Sequence, residues 1–163
     1  MIRNDTTFVI VGLGLLGGSY AMGLKEAGYR VLGVARRQET IDHALAHHMI
    51  DAGTLDPEEF LDQADIVIFA LYPHIIIDWI HEHQNAFRPG TLLTDVSGVK
   101  VNVADKVQSF LRDDVEFIAA HPMAGRETSG IEYANTEMFH DANYIIVPTE
   151  KNTKEAVETS RQL

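Results

Sequence analysis

The glycine-rich stretch GLGLLGG near the start of the chain is the feature that most constrains the fold. Gly12, Gly14 and Gly17 follow the spacing GxGxxG, between an apolar run at 8–11 and a helical pattern at 15–27. In such a turn the first glycine permits the tight bend, the second lets a pyrophosphate approach the backbone, and the third allows the helix to pack closely on the strand. The context predicts that these glycines, with Leu15 and Leu16 at the opening of the helix, bind a dinucleotide. The alternative is a βα turn with a purely structural role.

The rest of the chain alternates short apolar runs with longer amphipathic segments. Further strands are predicted at 31–34, 66–71, 92–94, 117–120 and 144–147. Further helices are predicted at 39–48, 75–87, 101–111 and from 151 onward. Strands separated by crossover helices predict a Rossmann-like α/β fold, in which helices cover both faces of a doubly wound, mainly parallel sheet. The length of 163 residues fits one dinucleotide-binding domain.

Composition excludes several classes of function. The formal net charge is -11 and the 13 lysines and arginines are scattered, so no basic face is available for nucleic acid. The chain has no cysteine, which excludes disulfides, zinc–thiolate sites and thiol catalysis and fits a reducing compartment. The apolar segment 8–16 contains two glycines and lacks a basic leader and a cleavage site. We therefore expect a cytoplasmic protein that does not bind membranes.

The end of the second strand bears on the choice of cofactor. NAD-binding domains carry an acidic residue there, about 20 residues beyond the turn, which hydrogen-bonds the ribose hydroxyls. Here the strand ends in Val34, Ala35, Arg36 and Arg37. The absent carboxylate and the two guanidinium groups favour a 2′-phosphate, so NADP is the expected cofactor, with NAD possible. The alternative is that both arginines are solvated charges at the entry of a helix.

A second motif, HPMAGRETSG at 121–130, directly follows the apolar run 115–120. It resembles the HPxxGxExSG signature of prephenate and arogenate dehydrogenases. GLGLLGGS is similar to the phosphate turn of that family, and TDVSGVK at 94–100 is similar to its TDxxSxK-like loop. The three matches occur in the family's order and span most of the chain. One departure is that many members have a serine two residues before the lysine, where this chain has Gly98 and its serine is Ser97.

The resemblance implies an oxidative decarboxylation of prephenate or arogenate, with His121 as the base, Ser97 near the substrate and Asp95 among the cofactor-binding residues. Two further observations support His121 as the base without the resemblance. A histidine side chain has an ordinary pKa near 6.5, so neutral imidazole is abundant. Pro122 keeps the backbone of His121 extended at the tip of a strand, where α/β sheets bind ligands. The alternative is a strand-end histidine bonded to a carbonyl.

Other polar residues are assigned less specific roles. Within HPMAGRETSG, Glu127 and Ser129 are expected to orient the loop or the cofactor, and Arg126 could reach a substrate carboxylate or be solvated. Lys100, at the start of a helix pattern after TDVSG, has the same two possibilities. His43 and His47 have the i, i+4 spacing of metal ligands but lack the HExxH context, so no metal site is predicted.

The helical pattern reaches Leu163, which suggests that the chain is cut from a longer protein. The family has a second, mostly helical domain that completes the substrate site and forms a homodimer, so we expect little activity from residues 1–163 alone. The alternative functions are another NAD(P)-dependent hydroxyacid or imine reductase, which would leave HPMAGRETSG unexplained, and a non-catalytic dinucleotide sensor, in which His121 would have no role.

Overall fold

The computed structural model describes residues 1–98, 103–124 and 128–163. A seven-stranded sheet forms its centre, with the strand order β3-β2-β1-β4-β5-β6-β7. The strands are β1 Thr7–Val11, β2 Arg30–Val34, β3 Ala52–Thr54, β4 Ile66–Phe69, β5 Leu92–Asp95, β6 Glu116–Pro122 and β7 Tyr144–Val147. The helices are α1 Leu15–Glu26, α2 Gln38–Ala46, α3 Glu58–Leu61, α4 Pro73–His83, α5 Val103–Phe110 and α6 Lys154–Ser160. Short 3₁₀ turns occupy Gln84–Ala86, Ile131–Tyr133 and Thr136–Phe139.

The first six strands are parallel, and every side chain of β1, β4 and β5 is buried, on both faces of the sheet. Phe8 and Ile10 of β1 pack in one apolar cluster with α1, α2 and α6, while Val9 and Val11 pack in the other with α3, α4 and α5. This double coverage explains why the strands read as continuous apolar runs rather than as alternating patterns. The expected Rossmann-like, doubly wound architecture is confirmed.

The last strand differs from the others, because β7 pairs with β6 in the antiparallel direction. The described part of the connection between them, residues 123–124 and 128–143, contains 3₁₀ turns and no α-helix. The chain then returns along the neighbouring strand in the opposite direction, whereas a parallel strand would need a longer crossover connection. The sheet is therefore mainly parallel, as expected, with one antiparallel edge.

The strand β3 and the helix α3 were not predicted. β3 has only three residues, and it forms because Leu32, Gly33 and Val34 of β2 offer a free edge. α2 packs so closely on this strand that a Cβ atom built on Gly53 would lie 2.4 Å from Ile41 Cγ2. Neither a hydrophobic period nor β-branched residues reveal such a strand.

The other predicted elements are present with adjusted ends. The helix predicted at 75–87 begins earlier, at Pro73, and its final turn is the 3₁₀ turn Gln84–Ala86. β6 is longer than predicted and includes His121. Among the described residues, no helix is both long and apolar enough to cross a membrane.

Candidate functional site

The glycine turn between β1 and α1 is formed by close backbone contacts. Gly12 has φ +95°, a conformation that favours glycine, and its N–H donates to the Val34 carbonyl at 2.9 Å. A Cβ atom on Gly17 would lie 1.9 Å from the Gly12 carbonyl oxygen, so only glycine fits where α1 crosses the turn. Gly14 differs, because a Cβ atom there would meet no atom of the described residues within 4 Å. The space over Gly14 is thus open to a ligand.

The amino end of α1 can receive an anion. The helix begins at Leu15, no side chain caps Gly14, and the first turn has no acidic residue. Uncapped N–H groups and the positive end of the helix dipole form a phosphate site in such turns. Leu15 itself is buried in the core and Leu16 is half-buried, so we expect both residues to contact a ligand through their backbone.

The end of β2 places two cations beside this turn. Ala35 is buried, and Arg36 and Arg37 that follow it are exposed. Within the described part of the chain, neither guanidinium group has a hydrogen bond or an ion pair with another side chain. Both are therefore available to an anionic ligand at the entry of α2.

His121 lies in β6, next to the carboxyl end of β5. Its side chain is half-buried, and its Nδ1 lies 3.2 Å from the Val96 carbonyl oxygen. A carbonyl can only accept, so this hydrogen bond requires a proton on Nδ1, and in the neutral imidazole Nε2 then keeps its lone pair. The side chain faces Gly98, where a Cβ atom would lie 3.4 Å from Cε1 and 3.5 Å from Nε2. The carbonyl-bonded histidine foreseen as the alternative is thus present, and its geometry still leaves one ring nitrogen able to accept a proton.

Asp95 joins the exit of β5 to the end of β6. Its carboxylate is fully buried and accepts hydrogen bonds from the Ser97 hydroxyl, the Ser97 N–H at 3.3 Å and the Ala120 N–H at 3.2 Å. Ala120 directly precedes His121, so Asp95 holds the backbone on both sides of the His121–Val96 contact. In this position Asp95 fixes the residues that follow β5 against the end of β6. A direct contact of Asp95 with the cofactor, and of Ser97 with the substrate, stays a prediction.

A group of buried hydroxyls between α1, β5 and β7 was not foreseen. It consists of Tyr20, Thr94 and Tyr144, close to the negative charge of Asp95. Burial, and then the neighbouring Tyr144 phenol, raise the pKa of Tyr20 well above its usual range. Burial also raises the pKa of Tyr144 to about 12, while the nearby Tyr20 and Thr94 hydroxyls act in the opposite direction. The sequence shows these residues only as isolated polar positions in apolar elements, which do not indicate that they meet.

Several predicted residues do not enter this description. Lys100, Arg126 and Glu127 lie outside the described residues. Ser129 is exposed, and Gly130 after it has φ +110°. The rings of His43 and His47 stack at 4.1 Å, and His47 Nδ1 bonds the His43 carbonyl at 2.9 Å. Within the described ranges, no group of three histidine or carboxylate side chains is close enough to hold a metal ion.

The sheet order and the glycine turn define a Rossmann-type nucleotide-binding domain. The family model described as "Prephenate dehydrogenase, nucleotide-binding domain" matches residues 20–163. The chain therefore belongs to the prephenate dehydrogenase family, and the resemblance of its motifs is confirmed.

Known proteins similar to this chain agree with that assignment. A prephenate dehydrogenase of Bacillus subtilis is 32% identical over 166 residues, which cover 100% of this chain and 45% of the relative. The crystal structure of a Synechocystis arogenate dehydrogenase has 29% identity and a TM-score of 0.89, over 96% of this chain and 55% of that one. A prephenate dehydrogenase from A. aeolicus, in complex with hydroxyphenyl propionate and NAD+, has 26% identity and a TM-score of 0.88 over the same shares. The chain thus spans about half the length of these relatives.

Proposed function

We propose that this chain binds a nicotinamide dinucleotide and forms the cofactor half of a dehydrogenase that oxidatively decarboxylates prephenate or arogenate. The observation that carries the proposal is the hydrogen bond from His121 Nδ1 to the Val96 carbonyl. It orients the ring at the carboxyl edge of the sheet and leaves Nε2 as a proton acceptor. A general base requires this combination of a fixed ring and a free lone pair.

The residues of this chain would divide the reaction between binding and proton transfer. The glycine turn and the amino end of α1 hold the pyrophosphate. The bound cofactor supplies the hydride acceptor. His121 takes the proton of the cyclohexadienol hydroxyl as hydride leaves the carbon that bears this hydroxyl, and loss of carbon dioxide makes the ring aromatic. Asp95 acts through other groups, since it fixes Ser97 and the Ala120 backbone on either side of the histidine contact.

The role of His121 is tested by the variant His121→Asn in the complete enzyme. Asparagine is polar and similar in reach to Nδ1, but it cannot accept the proton. We expect turnover to fall by about 10²–10⁴-fold, the range for loss of a general base, while calorimetry shows unchanged dinucleotide affinity. His81→Asn, on the outer part of α4, is the matched control and should keep full turnover. Substantial turnover by His121→Asn would exclude His121 as the base.

The cofactor proposed is NADP, with NAD as the alternative. Two features at the end of β2 support NADP. The guanidinium groups of Arg36 and Arg37 are exposed and have no side-chain partner among the described residues, and the neutral Ala35 stands where an acidic residue would repel a 2′-phosphate. Arg36→Ala is expected to weaken NADP binding by about 10–100-fold, as for a lost hydrogen bond between charged groups, and to leave NAD binding unchanged. Arg161→Ala on α6 is the control. An unchanged ratio of NADP to NAD affinity in Arg36→Ala would contradict the role of this arginine.

A further inference from the structure

Three consecutive residues of α1 contact the segment that follows the HPMAGRETSG motif. A Cβ atom on Gly18 would lie 2.9 Å from Ala134 Cβ and 3.2 Å from Ile131 Cγ1, so this glycine lets the segment sit directly on the helix. The Ser19 hydroxyl accepts a hydrogen bond from the Asn135 N–H at 3.0 Å. The rings of Tyr20 and Phe139 are 4.9 Å apart. We call Ile131–Phe139 the strap.

The α1 residues that hold the strap are bonded to the glycine turn. The Gly18 N–H donates to the Gly14 carbonyl at 2.9 Å, and the Ser19 hydroxyl donates to the Leu15 carbonyl at 2.7 Å. Gly14 and Leu15 are the residues where a pyrophosphate would bind. The strap therefore rests on the second turn of the helix whose first turn receives the ligand.

The other end of the strap leads to His121. The chain continues from Phe139 into β7, where Tyr144 pairs with Pro122 and Ile145 pairs with His121. The Met123 N–H also donates to the Asn143 carbonyl at 2.7 Å. Tyr20 also connects α1 to β7 directly, because its phenol lies beside the phenol of Tyr144.

We propose that the strap is a positioning element, which fixes His121 relative to the phosphate turn through its contacts with Gly18 and Ser19. The inference rests on the proposed function, because it assumes that a dinucleotide binds at the turn. A ligand at Gly14 then changes the environment of His121 through α1, the strap and β7, even when the ligand carries no nicotinamide.

Two glycines of α1 provide a matched pair of variants. Gly18→Ala and Gly23→Ala both replace a helical glycine by the best helix former, so their gain in helix propensity is similar. They differ at the strap, because among the described atoms a Cβ atom on Gly23 would meet just Thr136 Cγ2, at the ordinary contact distance of 3.8 Å. Only Gly18→Ala must displace Ile131 and Ala134. Ser19→Ala provides a second, milder perturbation, since it removes the acceptor of the Asn135 N–H without adding volume.

The experiment follows the His121 ring by NMR while the chain is titrated with ADP-ribose and with 2′-phospho-ADP-ribose, which lack the nicotinamide. The His121 signals are assigned from the spectrum of His121→Asn, and calorimetry gives the affinity of each variant. We expect the ligand to shift the His121 signals in the wild type and in Gly23→Ala. Gly18→Ala and Ser19→Ala should bind the ligand with similar affinity but lose most of that shift.

The possible outcomes separate the two proposals. If neither ligand binds the wild type, the proposed dinucleotide function fails. If a ligand binds and the His121 signals do not respond, or if the response persists in both Gly18→Ala and Ser19→Ala, the positioning role of the strap is overturned while the proposed function stands.

Discussion

At the scale of single residues, the three glycines of the turn have separate physical roles. Gly17 is required by the fold, since its Cα faces the Gly12 carbonyl at a distance that leaves no room for a methyl group. Gly14 is not required by the fold, because its surroundings are open and its φ of -99° suits any residue. The sequence predicts all three from one spacing, and only the tertiary structure shows that packing requires Gly17 while no described atom fills the space at Gly14.

This difference gives a prediction for alanine variants of the turn. Gly17→Ala should destabilise the domain by about 1–3 kcal/mol or more, as overpacking does. Gly14→Ala should leave the melting temperature unchanged and weaken dinucleotide binding more than tenfold, about 1.4 kcal/mol, because its methyl group occupies the space of the pyrophosphate. Thermal unfolding and calorimetric titration measure the two effects. Wild-type affinity in Gly14→Ala would mean that the pyrophosphate does not approach this residue.

His121 shows what the sequence can and cannot determine about a site residue. The motif and the following proline are enough to predict that His121 lies at the end of a strand, at the edge of the sheet where ligands bind. Its tautomer depends on the Val96 carbonyl, 25 positions away in the chain, and no residue type reveals a backbone acceptor in advance. The sequence therefore predicts the residue, while the fold decides which of its nitrogens is free.

At the scale of elements, the tyrosine pair connects α1 to β7 and makes the stability of this connection depend on pH. Both pKa values are raised by burial, that of Tyr144 from 10.0 to about 12. In the folded state the neutral phenols are therefore favoured more strongly than in the unfolded chain. Their contribution to stability is complete below about pH 10 and is lost as the pH rises through the folded pKa.

We expect the free energy of unfolding to fall between about pH 10 and pH 12, with Tyr144 contributing up to about 2–3 kcal/mol at 1.36 kcal/mol per pKa unit. Tyr144→Phe should flatten this decline. Tyr133→Phe is the control, because Tyr133 is exposed and outside the pair. Denaturant unfolding across this range measures the effect. An equally steep decline in Tyr144→Phe and in the wild type would show that Tyr144 does not titrate in this way.

At the scale of the whole molecule, parallel strands bring the ends of β1, β2, β5 and β6 to one edge of the sheet, and with them the glycine turn, the two arginines, Asp95 and His121. The chain spans about half the length of the relatives it matches, 45% in the Bacillus subtilis protein. We expect residues 1–163 alone to bind the dinucleotide and to catalyse little prephenate-dependent reduction of NADP, because catalytic groups must be held to well under an ångström. Absorbance of the reduced cofactor measures this. Appreciable turnover by the isolated chain would show that it contains a complete site.

The sequence by itself determined the class of fold, the position of the glycine turn and the candidate base. These features follow from local chemistry, namely the hydrophobic period, the glycine spacing and the short motif around His121. Only the tertiary structure decided that β7 runs antiparallel, that β3 exists, that Asp95 turns inward, and that the strap rests on α1. The physical reason is distance along the chain. The Asn135 N–H, for example, donates a hydrogen bond to the Ser19 hydroxyl, which is 116 positions away in the sequence. Such contacts depend on how the packed elements meet, which a local pattern does not contain.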